Sequence, residues 1–183
     1  MKTLTLSGLQ FLLSLAAGSA LLLAPTPGWA QQKLKYSFKD PAGVSKYVQQ
    51  HVIDVGDVPG HQIRVASLQT KYTTTAPEYD GIKVLESTGS LTSDYINGSG
   101  RFSQYTVSQM ANGDKVYSRL EGLSQTTVAS DGAKQTSFTI VNTLTGGTGK
   151  FATIRGTLRG SGVTDFKTGT TGNGIEGEYY FEK

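Results

Sequence analysis

The feature that most constrains the fold is the regular recurrence of Asx-Gly pairs between stretches of alternating polar and apolar residues. Asn97-Gly98, Asn112-Gly113 and Asp131-Gly132 each stand between two such stretches. Asn-Gly and Asp-Gly favour tight hairpin turns because these residues tolerate positive φ. Side chains that alternate with a period of two lie on opposite faces of a strand. With no convincing long helical pattern, the sequence predicts an antiparallel all-β domain.

The spacing of the turns divides the chain into about eight strands. We expect these strands near 51–55, 63–73, 82–96, 101–110, 115–128, 133–142, 153–160 and 175–181. A bulge is expected at Gly89, a bend at Gly122 and a Gly/Thr-rich connection over 163–174. The segment 36–57 is ambiguous, because Asp40-Pro41 can start a short helix whereas 47–55 is rich in β-branched residues. Eight strands can close into a barrel that holds side chains or one small ligand.

The first 30 residues have the features of a secretory signal peptide. Lys2 precedes an apolar run over 11–24, and Gly28-Trp29-Ala30 supplies small residues for a cleavage site before Gln31. The run is too short to span a membrane. We therefore expect residues 1–30 to be removed, residues 31–183 to form a single β-barrel domain, and the protein to be periplasmic or extracellular. The chain has no cysteine, so a hydrophobic core must stabilise this domain.

The charge pattern argues against nucleic acid as a partner. The formal net charge is only +3, and Lys and Arg are interspersed with Asp and Glu. A nucleic-acid-binding surface would need a basic stripe, which the sequence lacks. No segment after residue 30 is apolar enough to span a membrane. We expect a small-molecule partner, no nucleic acid, no membrane span and, as a further possibility, a homo-oligomer.

The segment from Leu144 to Gly160 begins with a glycine-rich turn, at Gly146, Gly147 and Gly149. A phosphate-binding P-loop is excluded, because Leu144 stands where a glycine is required and Phe151 where Ser or Thr is required. A strand pattern follows the turn, whereas a P-loop opens a helix. The glycines therefore predict a tight turn with positive φ.

The residues TGGTGKFATIRG at 145–156 resemble the glycine turn and following strand of allene oxide cyclases and plant dirigent proteins. Gly56-Asp57-Val58-Pro59 also resembles the segment that follows the first barrel strand of the cyclases, and the chain ends in an aromatic strand as they do. The resemblance implies a closed, calycin-like, antiparallel eight-stranded barrel of the kind found in exported bacterial members without assigned activity. It marks Gly56, Asp57, Pro59 and Phe151, with the glycines of the turn, as structural residues.

The chain departs from the cyclases where their chemistry lies. The cyclases place a glutamate on the first strand inside the cavity, whereas 50–54 offers His51 and Asp54. The cavity cysteine of that family is absent as well. The resemblance therefore does not carry cyclase activity to this chain, and whether it is an enzyme stays open.

Three residues are candidates for acid–base catalysis: His51, Glu86 and Glu121. His51 would act at the mouth of a barrel, and Glu86 shares a face with apolar residues where burial would raise its pKa. A bulge at Gly89 would instead place the Glu86 side chain on the opposite face of the sheet. His51 and His61 are the only histidines, and they lack a recognised metal-ligand spacing. The sequence predicts no metal and no cofactor.

Three further residues are candidate ligand contacts: Tyr105, Tyr117 and Arg119. Tyr117, Arg119 and Glu121 alternate along one strand and share a face. Facing outward, they form an ordinary solvated row; facing inward, they suit binding of an acid or orientation of a phenol. The apolar opposite face favours the outward arrangement.

Three functions are consistent with these features. The first is a barrel that binds a small apolar or amphipathic molecule without chemistry. The second is a cofactor-free isomerase or dirigent-like protein that guides a reactive intermediate. The third is an envelope protein whose interior is filled by Phe138, Ile140, Leu158 and Phe181. A cavity of several hundred Å3 with a few polar groups would distinguish the first two from the third.

Overall fold

The computed structural model describes residues 31–41, 44–165 and 170–183, and nearly all of them lie in strands. The strands are β1 Leu34–Asp40, β2 Ser45–Asp54, β3 His61–Lys71, β4 Glu78–Tyr79, β5 Ile82–Ile96, β6 Ser99–Met110, β7 Lys115–Val128, β8 Lys134–Gly147, β9 Ile154–Asp165 and β10 Thr170–Phe181, with one 3-10 turn at Gly149–Phe151. The predicted signal peptide lies outside the described residues. Within them, no helix is both long and apolar enough to cross a membrane.

The strands form one antiparallel sheet in the order β1-β10-β9-β8-β7-β6-β5-β3-β2, and β4 pairs with β5 outside this path. Hairpins join most neighbours in the sheet, as the Asx-Gly turns predict. The prediction of an all-β antiparallel domain is confirmed.

The prediction of a closed eight-stranded barrel is wrong. The sheet has two edges, β1 and β2, and the described residues form no backbone ladder between them. Side chains nevertheless connect β1 to the residues that follow β3. The Tyr72 hydroxyl donates to Asp40 at 3.2 Å, and the ring of Phe38 meets that of Tyr72 edge to face at 5.9 Å. The sheet is therefore rolled, with side-chain contacts where a barrel would have backbone pairing.

The start of the chain also differs from expectation. The segment with the ambiguous pattern forms parts of two strands, β1 and β2, and the helix alternative at Asp40-Pro41 is wrong. Leu34, Tyr36 and Phe38 alternate with Lys35, Ser37 and Lys39, which is a strand signal that the Asp-Pro helix signal obscured. The connection predicted over 163–174 contributes to two paired strands, with Ser161 opposite Gly174.

The irregular positions lie beside those expected. One bulge falls between Val84 and Glu86 rather than at Gly89, and another falls between Tyr117 and Ser118. At Gly122, where a bend is predicted, a Cβ would collide with the ring of Phe102. Sequence patterns locate bulges poorly, since an extra residue disturbs the alternation only locally.

The turn at Asn97-Gly98 has the backbone conformation that the sequence predicts. Asn97 has φ 52° and Gly98 has φ 81°, the pair of positive values required by a type I′ hairpin. Asp80 and Gly81 form a similar pair, with φ 48° and 75°. These turns fix the register of β4, β5 and β6.

The hydrophobic core lies at one end of the rolled sheet. Phe151, from the 3-10 turn, is fully buried there, as are Ile154 and Leu158. The remaining buried members of this cluster are Tyr36, Tyr79, Val84, Met110, Val116, Leu144 and Tyr179. The core thus closes the end of the rolled sheet that contains the 3-10 turn. The interior of the sheet beyond the core extends toward the opposite end, where the Asn97-Gly98 turn lies.

Strand β2 is exposed along its whole length. It pairs only with β3 in the described structure, and Val52 and Ile53 leave large apolar surface uncovered. An edge strand of this kind presents unpaired backbone groups on one side.

Candidate functional site

A cavity of about 540 Å3 lies inside the rolled sheet. Its volume is in the range of pockets that hold small molecules, roughly 300–1,000 Å3. Its apolar lining includes Phe38, Leu68, Leu91, Phe102, Leu120, Phe138, Ile140 and Ile175. These residues come from strands all around the sheet, so one continuous inner face builds the cavity.

Small hydroxyl side chains interrupt this apolar lining. Ser87 and Ser108 share a hydrogen bond of 2.8 Å, and Thr126 and Thr136 share one of 2.6 Å. All four residues line the cavity. Because these hydroxyls already pair with one another, this part of the wall is polar but uncharged, and together with the apolar side chains it suits an amphipathic molecule.

Asp40 is the carboxylate that lines the cavity, at the end of β1. Tyr72 donates to its Oδ1 at 3.2 Å, and the amide of Asn173 donates to its Oδ2 at 2.9 Å. Burial raises the pKa of Asp40 above its ordinary value of 3.8, although both hydrogen bonds act in the opposite direction. A carboxyl group with a raised pKa inside a cavity is a candidate proton donor or acceptor.

A cluster of tyrosines adjoins Asp40. The rings of Tyr36 and Tyr79 stack at 4.9 Å between centroids, and Tyr72 lines the cavity beside them. Burial is the main cause that raises the pKa of each of these three phenols. They are therefore neutral at physiological pH and act as hydrogen-bonding groups rather than as bases.

A second charged residue, Arg64, lines the cavity from β3. Arg64 pairs across the ladder with Ser93 of β5, toward the Asn97-Gly98 turn. Lys46 of β2 also lines the cavity, which thus has one carboxyl group and two cationic groups contributed by different strands.

The three acid–base candidates do not line this cavity. Glu86 lies past the bulge at the start of β5, and its carboxylate approaches Lys71 at 3.9 Å. Glu121 accepts from Arg119 at 2.6 Å on the exposed face of β7. His51 lies on the exposed strand β2 beside Gln49, with 3.2 Å between their side-chain nitrogens. The structure therefore does not bring these three side chains together.

The candidate ligand contacts also lie outside the cavity. Tyr105 and Arg119 are cross-strand partners with exposed side chains, and the guanidinium carbon lies 5.9 Å from the centre of the tyrosine ring. Tyr117 is a half-buried neighbour on the same strand as Arg119. Arg119 and Glu121 instead border an open depression of about 900 Å3 on the outer face. Their opposite charges there form an ordinary solvated pair.

The glycine turn binds a carboxylate of its own chain. Gly146 and Gly149 have positive φ, 137° and 49°, as predicted for a tight turn, whereas Gly147 does not. The backbone N–H of Lys150 donates to Asp114 at 3.1 Å, and a Cβ at Gly149 would collide with the same carboxylate. Asp114 therefore occupies the position that an external anion would need.

The second structural segment, Gly56 to Pro59, forms the turn between β2 and β3. The N–H of His61 donates to the carbonyl of Val58 at 3.2 Å and closes this turn around Pro59. The His61 ring bonds Asp57 at 2.6 Å and Asp94 at 2.8 Å. These bonds raise the pKa of His61 and, with the Val58 N–H, lower that of Asp57. No group of three or more His, Cys, Asp or Glu side chains among the described residues is arranged to hold a metal ion.

Comparisons with family models, curated proteins and solved structures give no match to this chain. The resemblance in the glycine turn therefore stays a prediction. None of the three charged residues of the cavity lining, Asp40, Lys46 and Arg64, was among the site residues predicted from the sequence. The alternation of Leu34, Tyr36 and Phe38 could have placed Asp40 on an inner face, and Arg64 alternates in phase with Ala66 and Leu68.

Proposed function

We propose that this chain binds a small amphipathic molecule inside the rolled sheet. The observation that carries the proposal is the cavity of about 540 Å3, lined by apolar side chains, paired hydroxyls and three charged residues, Asp40, Lys46 and Arg64. At ~30 Å3 for each water-sized group, this volume corresponds to roughly 18 non-hydrogen atoms. A space of that size argues against an interior filled only by the protein's own side chains. Phe138 and Ile140 border the cavity rather than fill it.

Native mass spectrometry of the protein purified from its own host tests this proposal. We expect a bound species with roughly 18 non-hydrogen atoms or fewer, which solvent extraction releases. Reproducible recovery of the ligand-free mass alone would contradict the proposal. Protein denatured before extraction and then refolded provides the control for adsorbed lipid.

A second candidate function is that of a cofactor-free isomerase or dirigent-like protein, and Asp40 favours it. The cyclases that the sequence resembles carry a carboxylate inside the cavity, and Asp40 is a carboxyl group of the cavity lining here. It lies on β1 and not on β2, the strand before Gly56 that the resemblance matches to the first strand of the cyclases. Its raised pKa, caused by burial, suits proton exchange with a bound molecule. Incubating the extracted ligand with wild type and Asp40→Asn tests this candidate. Conversion by the wild type alone supports catalysis, whereas an unchanged ligand with both proteins indicates binding without chemistry.

A further inference from the structure

We propose that Arg64 binds the carboxylate of the ligand, so that the cavity selects anionic amphiphiles over neutral and cationic ones. This inference rests on the proposed binding function. It assigns the chemical class of the ligand and the direction in which the ligand enters.

The first observation is that the Arg64 guanidinium lacks an ionic partner in the part of the chain that the structure describes. Its Nε is shielded from solvent and forms no hydrogen bond with any described residue. None of the ion pairs formed by described residues includes Arg64. A shielded donor on a charged group is unfavourable unless something binds it.

The second observation is that the nearby carboxylates are already engaged or too far away. Asp54 lies two residue pairs along the ladder from the pair of Val52 with Arg64, and it accepts from Gln62 at 2.9 Å. Asp40 bonds to Tyr72, which is eight residues from Arg64 along the chain. At about 3.3 Å per residue this separates the Cα atoms of Arg64 and Tyr72 by roughly 26 Å, so Asp40 cannot neutralise Arg64. An anion from outside the chain can supply the missing partner.

The third observation concerns the surface that continues inward from Arg64. Ala66 and Leu68 follow Arg64 on the same face of β3, Leu91 lies opposite Ala66, and Leu120 and Ile140 also line the cavity. A flexible hydrocarbon chain fits this lining, because each buried methylene contributes about 0.8 kcal/mol wherever it finds room. The ligand that matches both parts has an anionic head at Arg64 and an apolar tail directed toward the core.

Calorimetric titration at pH 7.5 with decanoate, 1-decanol and decyltrimethylammonium tests this assignment. Decanoate has about a dozen non-hydrogen atoms and fits the available volume. The variants are Arg64→Met, which keeps the length of the side chain, and Arg101→Met, which removes an exposed arginine of β6 and matches the change in net charge. Because a hydrogen bond to a charged group is among the stronger kinds, we expect Arg64→Met to weaken decanoate binding by about 10- to 100-fold. Decanol binding should change little, and Arg101→Met should behave as wild type.

Stability separates a binding role from a structural one. An arginine without a protein partner stabilises nothing, so Arg64→Met should keep or raise the thermal midpoint of the ligand-free protein. A large fall in the midpoint would show that Arg64 supports the fold and would overturn the assignment. Equal binding of decanoate and decanol, unaffected by Arg64→Met, would also overturn it while leaving the binding function intact. Failure of all three probes to bind would count against the proposed function itself.

Discussion

Replacing Asp40 by Asn should stabilise the protein at neutral pH, although the substitution weakens two hydrogen bonds. Asn keeps the shape of the side chain and an oxygen that can accept from Tyr72. The amide of Asn173 donates to Asp40, and the other polar atom of that amide, Oδ1, has no partner among the described residues. Rotating the Asn173 amide by half a turn would present its Oδ1 to the amide introduced by the substitution, so the hydrogen bond is exchanged rather than lost.

The magnitude follows from the balance at Asp40. Burial is the largest influence on its pKa and outweighs the hydrogen bonds from Asn173 and Tyr72. Each unit by which the folded pKa exceeds the unfolded value corresponds to about 1.4 kcal/mol of destabilisation at neutral pH. Replacing bonds to a charged group by neutral ones costs roughly 1 kcal/mol each. Because the pKa is raised on balance, burial outweighs these bonds, and we expect the free energy of unfolding to rise by up to about 2 kcal/mol at pH 7.

The pH dependence provides the sharper test. A carboxyl group with a raised folded pKa binds more protons in the native state, so stability falls as pH rises from 3.8 through the folded pKa. Asp40→Asn should remove this loss, which denaturant titrations between pH 4 and 7 measure. Glu176→Gln, at an exposed position on β10, should leave the slope as in wild type. Equal slopes of the free energy of unfolding against pH for Asp40→Asn and wild type would show that the Asp40 carboxylate does not destabilise the fold. A fall of more than about 2 kcal/mol in the free energy of unfolding of the variant at pH 7 would show the same.

Three further predictions concern other parts of the molecule. Phe151→Ala should lower the free energy of unfolding by about 3–5 kcal/mol in denaturant titrations, because this ring is fully buried in the core, and a loss below about 1 kcal/mol would contradict that packing. In an NMR titration His61 should have a pKa above 6.5, which Asp94→Asn should lower by removing the negative charge of one hydrogen-bond acceptor; an unchanged value would refute that contact. The stabilising contribution of His61 is present at low pH and lost as pH rises through its folded pKa. Amides of β2 should exchange with solvent faster than those of β8, because β2 is an exposed edge; equal protection would indicate a covered edge.

The sequence predicts those elements whose signals are local. Strands 82–96 and 115–128 have the predicted bounds, because an Asx-Gly turn ends or begins each of them. The positive φ values at Asn97 and Gly98 follow from the same residue preference. A helix signal at Asp40-Pro41 competes with a strand signal in the preceding residues, and only the tertiary pairing of β1 with β10 decides between them.

The candidate site depends on properties that the sequence does not display. The direction of Glu86 is set by the bulge after Val84, which leaves little trace in the pattern of residue types. Asp40 and Tyr72 meet because the sheet is rolled, so their contact depends on the pairing of every strand between them. The volume of the cavity is the space that the rolled sheet encloses minus the volume of the side chains inside it. The alternation of polar and apolar residues predicts which face of a strand points inward, but it does not predict this remaining volume.

A pair of matched substitutions on β7 tests whether the cavity holds a ligand. Leu120 lines the cavity, whereas Leu123 is 53% exposed on the opposite face of the same strand. Leu120→Trp places a large indole in the cavity, and Leu123→Trp makes the same change on the outside. Native mass spectrometry of both variants, purified from the host alongside wild type, measures the occupied fraction. We predict that Leu120→Trp loses the bound molecule while Leu123→Trp retains it, and equal occupancy of the two folded variants would contradict a ligand site inside the sheet.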